Sequence, residues 1–328
     1  MKINWIGNFQ TGYVGEVADA VHIVREMEAL GHTVQKVPQD IWKAFVEGET
    51  PKEDWVLPLG DADFSIIGKW HHFNGDHIKL LKQVTNAPVF YWVWDYMNYN
   101  GVPEWHHDMV KASDLYLAND VRDPYYNNHT NPSLNNAYYF PFDVADGSLP
   151  VTTSTNKMYD TVFFGSWIDQ GNRQKWLREI NYTNPITVFS WNWKEWPKEF
   201  NAQPAVYGEE FNAKVGMSKI VLGFSVEPST WGYWSNRVGK VLLAGGFLLY
   251  EYAPGMELFL KDGVEYFSSI EEAQDKIDHF LIADDERNLI ARKGYILGHS
   301  HFSSKKRVQE LLILAERFIK SKGEGWKL

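Results

Sequence analysis

Short apolar runs recur along this 328-residue chain, and stretches of helical period separate them. That alternation restricts the fold more than any other feature. Consecutive parallel strands need a crossover connection, and the usual crossover is a helix. Lys2–Ile6 reads as a first strand, and Gly7, Asn8, Gly12 and Gly15 punctuate the loop behind it. Val17, Val21, Val24, Met27 and Leu30 then recur at helical spacing, with Gly31 as the stop. Thr33–Val37, Ala62–Ile67, Pro88–Trp94, Ser113–Ala118 and Tyr138–Phe142 read as further strands, with a helix over Asp76–Val84. Asp143–Lys157 is rich in Asp, Gly, Ser, Pro and Thr without apolar period and reads as a linker. A second alternation follows. Its strands are Thr161–Phe164, Ile186–Phe189, Lys219–Gly223, Phe247–Tyr250 and Val264–Phe267. Its helices cover Asn172–Ile180, Ser235–Ala244, Ile270–Leu281 and the amphipathic Lys305–Lys320.

The pattern predicts an α/β protein of two domains. Open α/β sheets bind ligands beyond the C-terminal ends of their strands, so chemistry is expected in the loops that follow strands. Two such domains facing a cleft suit a reaction between two substrates, one on each wall.

Composition removes several classes. The chain has no cysteine, which excludes disulfides and thiolate metal sites and fits a reducing, cytoplasmic setting. Its net charge of -10 argues against a broad nucleic-acid face. No run is long enough and apolar enough to span a membrane, and Met1–Gln10 is too polar to be a secretory signal. Aromatic residues make up 16% of the chain, with 15 Trp, so either the cores are Trp-rich or some rings line a site for flat or sugar rings.

The most informative block runs Trp234-Ser235-Asn236-Arg237-Val238-Gly239-Lys240, then Leu243-Ala244-Gly245-Gly246 and Tyr250-Glu251-Tyr252-Ala253-Pro254-Gly255. Ser235 reads as a helix N-cap. Asn236 and Arg237 then fall in the first turn, where an anion is favoured, and a guanidinium adds a fork suited to phosphate oxygens. Arg237 taken alone reads as an ordinary surface arginine. In its block it is similar to the C-terminal region of group-1-like glycosyltransferases, above all the spore-maturation-protein-B-like branch. The likeness runs over about residues 158–310. It includes Phe163-Phe164-Gly165-Ser166 with Arg173, Asp262-Gly263, Ala283-Asp284-Asp285-Glu286-Arg287 and Gly294.

That resemblance implies the GT-B fold: two Rossmann-like domains facing a cleft, residues 1–150 for the acceptor and 151–304 for the donor. It implies a C-terminal helix, 305–328, that crosses back onto the first domain. It also implies a nucleotide-diphosphate sugar, UDP- or GDP-linked, as co-substrate, with no resident metal or cofactor. Carried over by position, Gly165 and Ser166 approach the donor phosphates, and Arg173 and Ser190 lie near the nucleotide. Asn236 and Arg237 lie near the diphosphate beside Ser235, and Tyr252, Pro254 and Gly255 shape the loop by the sugar. Two positions depart from the family pattern. Lys240 stands where a Glu usually meets the ribose hydroxyls, and a Lys cannot accept a hydrogen bond. It binds phosphate instead or faces solvent, with Glu251 available as the replacement acceptor. Gly223 stands where many relatives carry Asn.

The first half offers two candidate acceptor sites. One is the glycine loop, with Gly12, Tyr13, Gly15 and Glu16, and the other is Asp95; Trp70 and His71, just past the third strand, are further acceptor contacts. Asp95 follows Phe90-Tyr91-Trp92-Val93-Trp94 and is the candidate base for the acceptor hydroxyl, dried by the surrounding rings. A similar strand-then-Asp pattern resembles bacteriophage DNA glucosyltransferases. The pairs His71-His72 and His106-His107 lack an acidic ligand at metal spacing, so no metal is expected.

The expected function is transfer of a hexosyl or pentosyl group to a hydroxyl of a carbohydrate or envelope component. Two alternatives stay open. One is a bacteriophage DNA glycosyltransferase acting on hydroxymethylated bases in duplex DNA, within host cytoplasm. The other is a non-catalytic nucleotide-sugar-binding protein, which Lys240 favours.

Overall fold

The computed structural model describes residues 1–9, 19–49, 59–95, 97, 102–119, 137–141, 146, 148–149, 151, 156–168 and 172–321. The chain divides into two compact units: Met1–Phe142 together with Ser304–Leu328, and Asp143–Ser303. Each holds a six-stranded sheet in which every pairing is parallel.

The first unit runs β1 (Lys2–Gly7), α1 (Asp19–Ala29), β2 (Thr33–Pro38), α2 (Gln39–Val46), β3 (Phe64–Gly68), α3 (Gly75–Thr85), β4 (Val89–Trp92), α4 (Glu104–Ala112), β5 (Leu115–Ala118) and β6 (Ala137–Tyr139). The strand order is β2-β1-β3-β4-β5-β6. Every residue of β4 and β5 is buried, as strands covered on both faces require. Trp5, Trp42, Tyr91 and Trp92 are fully buried, so most of the aromatic surplus here is core. Asn74 caps α3: its Oδ1 accepts the Asp76 amide at 3.0 Å, and His77 closes the reciprocal bond. The last helix, α11 (Ser304–Ser321), also belongs to this unit and packs on α1. It buries Val308, Leu311, Leu312 and Ala315, sets Phe318 edge-on to Phe90, and lays Arg307 over the Phe140 ring at 5.0 Å.

The second unit runs β7 (Tyr159–Phe164), α5 (Arg173–Thr183), β8 (Ile186–Ser190), β9 (Asn201–Pro204), α6 (Gly208–Gly216), β10 (Ser218–Gly223), α7 (Arg237–Leu243), β11 (Leu248–Glu251), α8 (Met256–Leu260), β12 (Glu265–Phe267), α9 (Ile270–Ile282) and α10 (Asp284–Leu297). The order is β12-β11-β10-β7-β8-β9, with β10 and β7 central. Alternate residues of β7 point to opposite faces. Val162 and Phe164 join Val241, Leu242 and Tyr250 on one side, while Phe163 joins Leu177, Phe224 and Phe280 on the other. Gly263 and Gly294 touch backbone to backbone: a Cβ on Gly294 would lie 2.5 Å from the Gly263 carbonyl oxygen. Because all six strands are parallel, Gly165, Trp191, Phe224 and Tyr252 emerge together at one edge. The helices α2, α4, α6, α8 and α10 and strand β9 are additions to the elements expected from sequence.

Candidate functional site

The start of α7 is the best-organised point on that edge. The Ser235 hydroxyl accepts the Arg237 amide at 3.3 Å and lies 3.5 Å from the Arg237 guanidinium. Ser235 therefore supplies the capping bond, while Asn236 takes a helical backbone conformation and caps nothing with its side chain. Beneath them, Tyr250 accepts the Ser235 N–H at 3.0 Å. Burial pushes the Tyr250 phenol up to about 12, against the Ser235 amide and the Arg173 and Arg237 charges. Gly223, on the neighbouring strand, leaves room for that ring: a Cβ there would lie 2.2 Å from Tyr250 Cδ2. Gly223, Phe224, Ser235, Arg237 and Tyr250, together with apolar residues such as Val221 and Val241, line a narrow crevice of about 10 Å³. A space of that size holds about one water and no larger group, so the Ser235–Arg237 turn is a surface feature at its mouth. Lys240 lies in the last turn of α7 and is half-buried.

Two strands along, the loops after β7 and β8 interlock. Gly165 donates its amide to the Phe189 carbonyl at 3.1 Å, and a Cβ on it would meet the Phe163 ring at 2.6 Å. The Trp191 indole N–H donates to the Ser166 hydroxyl at 2.5 Å. Ser190 is buried and donates to Asn192 Oδ1 at 2.7 Å, and Asn192 donates to Glu195 at 2.8 Å. Arg173, the first residue of α5, is also buried, with its guanidinium 6.0 Å from the Phe163 ring centre. Ser190 and Arg173 thus lie beneath the surface of this edge.

Glu251 ends β11 and is 3% exposed. Burial pushes its carboxyl up to about 7, although the Ser225 amide and the Arg173 charge oppose that shift. Its Oε2 is buried and has no hydrogen-bond partner among the described residues. The following loop is tied across the edge: Gly232 donates its amide to the Pro254 carbonyl at 2.8 Å. Gly255 has φ +88, and a Cβ on it would lie 2.7 Å from the Trp231 indole, so both backbone and packing require glycine. Tyr252 is 37% exposed and donates its hydroxyl to Glu257 at 3.1 Å.

In the first unit, Asp95 follows β4 as expected, but its surroundings are not. Its side chain is 61% exposed and pairs with Lys69 at 2.6 Å. Tyr91 and Trp92 point into the core instead of drying it, which corrects the expectation from sequence. Trp70 packs edge-on against His72 and Phe73, with His71 exposed beside it. Gly12, Tyr13, Gly15 and Glu16 lie outside the described residues. His106 is wholly buried, 2.8 Å from Tyr91 Oη and 3.3 Å from Tyr116 Oη. Among the described residues no three His, Asp or Glu side chains group to hold a metal ion, and no helix is long and apolar enough to cross a membrane.

Sequence reasoning missed Tyr250, Trp191 and Asn192. Tyr250 reads as one more apolar strand residue, and its hydroxyl bond is a tertiary contact. Trp191 had a signal: it stands beside Ser190 in a segment with Trp193 and Trp196 close behind.

Comparison with known proteins bears on this edge. Residues 172–313 match the model of a family described as glycosyl transferase-like. No curated protein sequence matches the chain. Among solved structures, sucrose-phosphate synthase from Thermosynechococcus elongatus is similar at TM-score 0.65 and 8% identity, covering 98% of this chain and 100% of that one. Anabaena HepE in complex with UDP and glucose gives 0.64 and 10%, covering 96% and 99%. An alpha-glucosyltransferase in complex with UDP-glucose and DNA containing an abasic site gives 0.67 and 10%, covering 96% and 98%. At such identities the likeness is one of fold, and that fold is GT-B: an α/β chain with two parallel sheets, each flanked by helices.

Proposed function

We propose that this protein is a glycosyltransferase that binds a nucleotide-diphosphate sugar along the C-terminal strand edge of its second unit. One observation carries the reading. Arg237 and the Ser235 hydroxyl meet at the start of α7, on the C-terminal strand edge and inside the segment that matches a glycosyl transferase-like family. A guanidinium suits the oxygens of a diphosphate. It also stabilises the charge that grows on the diphosphate as the sugar departs, a preorganised electrostatic role.

The reaction forms a bond between an acceptor hydroxyl oxygen and the anomeric carbon. The bond from that carbon to the diphosphate breaks, and the diphosphate leaves with the electron pair. With inversion, a carboxylate takes the hydroxyl proton, and Asp95 on the first unit is the residue assigned to it. Its bond to Lys69 fixes where the carboxylate lies. A carbohydrate hydroxyl is the acceptor of first choice. UDP sugars are the donors of first choice, because similar structures were solved with UDP or UDP-glucose.

Thermal stabilisation by UDP, GDP, UDP-glucose and GDP-mannose tests the donor site. A ligand held at about 100 times its dissociation constant adds roughly 2.7 kcal/mol. The expected result is a shift with one nucleotide and its sugar, lost in Arg237→Ala. Slow hydrolysis of the same donor without acceptor separates an enzyme from a non-catalytic binder. An Arg237→Ala protein stabilised as well as wild type would overturn the assignment.

A further inference from the structure

Trp191 is the most exposed of the tryptophans at the edge just described, with 68% of its surface open, whereas Trp196 and Trp234 are buried. An exposed indole is normally free to rotate. This one is held, because its N–H donates to Ser166 at 2.5 Å across the gap from β8 to β7. The backbone beneath it is fixed as well. Asn192, the next residue, accepts the Ser190 hydroxyl and the Trp167 amide and donates to Glu195. The fold thus presents one flat apolar ring, pinned at its polar edge, at the end of a parallel sheet where α/β proteins bind ligands. Among the described residues no aromatic ring or cation stacks on that face.

We infer that the Trp191 indole, fixed by the Ser166 hydroxyl, is the stacking platform for the planar base of the nucleotide. This rests on the reading of the edge as a nucleotide-sugar site. Spacing supports the base over other flat groups. Arg237 and Ser235 lie over β10 and β11, and Trp191 stands at the end of β8, two strands from β10. Neighbouring strands are about 4.8 Å apart, so the two features are separated by on the order of 10 Å. A nucleoside diphosphate needs such a span, because a ribose separates its base from its phosphates. The donor sugar then extends the other way, toward Tyr252 and Pro254. Stacking on an indole is tolerant of base identity, since every base has a flat face. Selectivity between uracil and guanine therefore falls to groups around the ring.

The test compares wild type, Trp191→Ala, Trp191→Phe, Ser166→Ala and Arg237→Ala by calorimetric titration. The probes are UDP, GDP, inorganic pyrophosphate and free glucose. Trp191→Ala is expected to weaken the preferred nucleotide roughly tenfold or more while leaving pyrophosphate unchanged. Trp191→Phe should keep most of the affinity, and Ser166→Ala, which releases the ring, should lose a few-fold. Arg237→Ala should weaken nucleotide and pyrophosphate alike. Equal nucleotide binding by wild type and Trp191→Ala would overturn the platform, and so would parallel loss of nucleotide and pyrophosphate. Loss confined to glucose would make the ring a sugar platform and also overturn it. Should wild type bind neither UDP nor GDP, the reading of the edge as a donor site fails first.

Discussion

The Tyr250 phenolic oxygen accepts the backbone N–H of Ser235 at 3.0 Å, so a buried strand residue sets where the Arg237 turn begins. Removing the hydroxyl leaves that amide without its acceptor, in a part-buried position. Tyr250→Phe is expected to lower stability by about 1–2 kcal/mol. It should weaken nucleotide-diphosphate binding beyond what stability explains, because the Ser235–Arg237 turn loses its anchor. Denaturant unfolding and calorimetric titration of the same variant check both parts. Unchanged binding in a folded variant would mean that the turn holds itself.

Gly223 and Tyr250 form one packing unit. A Cβ at residue 223 would lie 2.2 Å from the Tyr250 ring, a distance that forces the ring to move. The ring occupies the space that any side chain at residue 223 would need. Gly223→Ala is expected to cost about 1–3 kcal/mol as overpacking and to displace the α7 turn. Combining it with Tyr250→Leu, which removes the ring, should recover part of the loss. Thermal midpoints of the single and double variants measure that coupling, and simple additivity would refute it.

The expected pH dependence centres on Glu251. Its carboxyl is raised from the ordinary 4.5 to about 7, chiefly by burial. Between these values the unfolded chain has lost this proton and the native protein keeps it. Stability therefore falls as pH rises from about 4.5 to about 7, and the loss is complete above that range. Glu251→Gln removes the titration. It should match wild type near pH 4 and exceed it near pH 8 by on the order of 3 kcal/mol. The difference between the two thermal midpoints across that range is the measurement. A difference that does not change with pH would show that this carboxyl is not the group concerned.

Legibility in the sequence followed burial. Strands such as Phe64–Gly68 and Val89–Trp92 are apolar runs because both faces are covered, and the runs located them. Strand β9 is the Asn-Ala-Gln-Pro edge, partly exposed and without apolar signal. Helix α10 buries Arg287, Ala291 and Gly294, a face of small and polar residues that apolar periodicity cannot register. Helix α2 follows β2 directly, with Pro38 at the junction and no loop to announce it. At the site, Ser235 and Arg237 stood out because local spacing and family likeness converge on them. That Trp191 bonds the Ser166 hydroxyl beyond the neighbouring strand is a tertiary contact, and no local pattern carries that.

Asp95 and Lys69 give the last expectation. Both lie at strand ends of the first unit, and their 2.6 Å bond holds an exposed carboxylate in one place. An exposed ion pair contributes little to stability, typically 0–1 kcal/mol, so neither side chain is needed for folding. Asp95→Asn keeps the shape and removes the proton acceptor. It should leave donor affinity unchanged and lower transfer by roughly 10²–10⁴-fold if the carboxylate takes the acceptor proton. Lys69→Met frees the carboxylate without removing it, so its effect should be smaller and confined to transfer. Nucleotide titration and single-turnover transfer distinguish these outcomes. Full turnover in Asp95→Asn would remove Asp95 from the chemistry and point to a retaining reaction, which needs no such base.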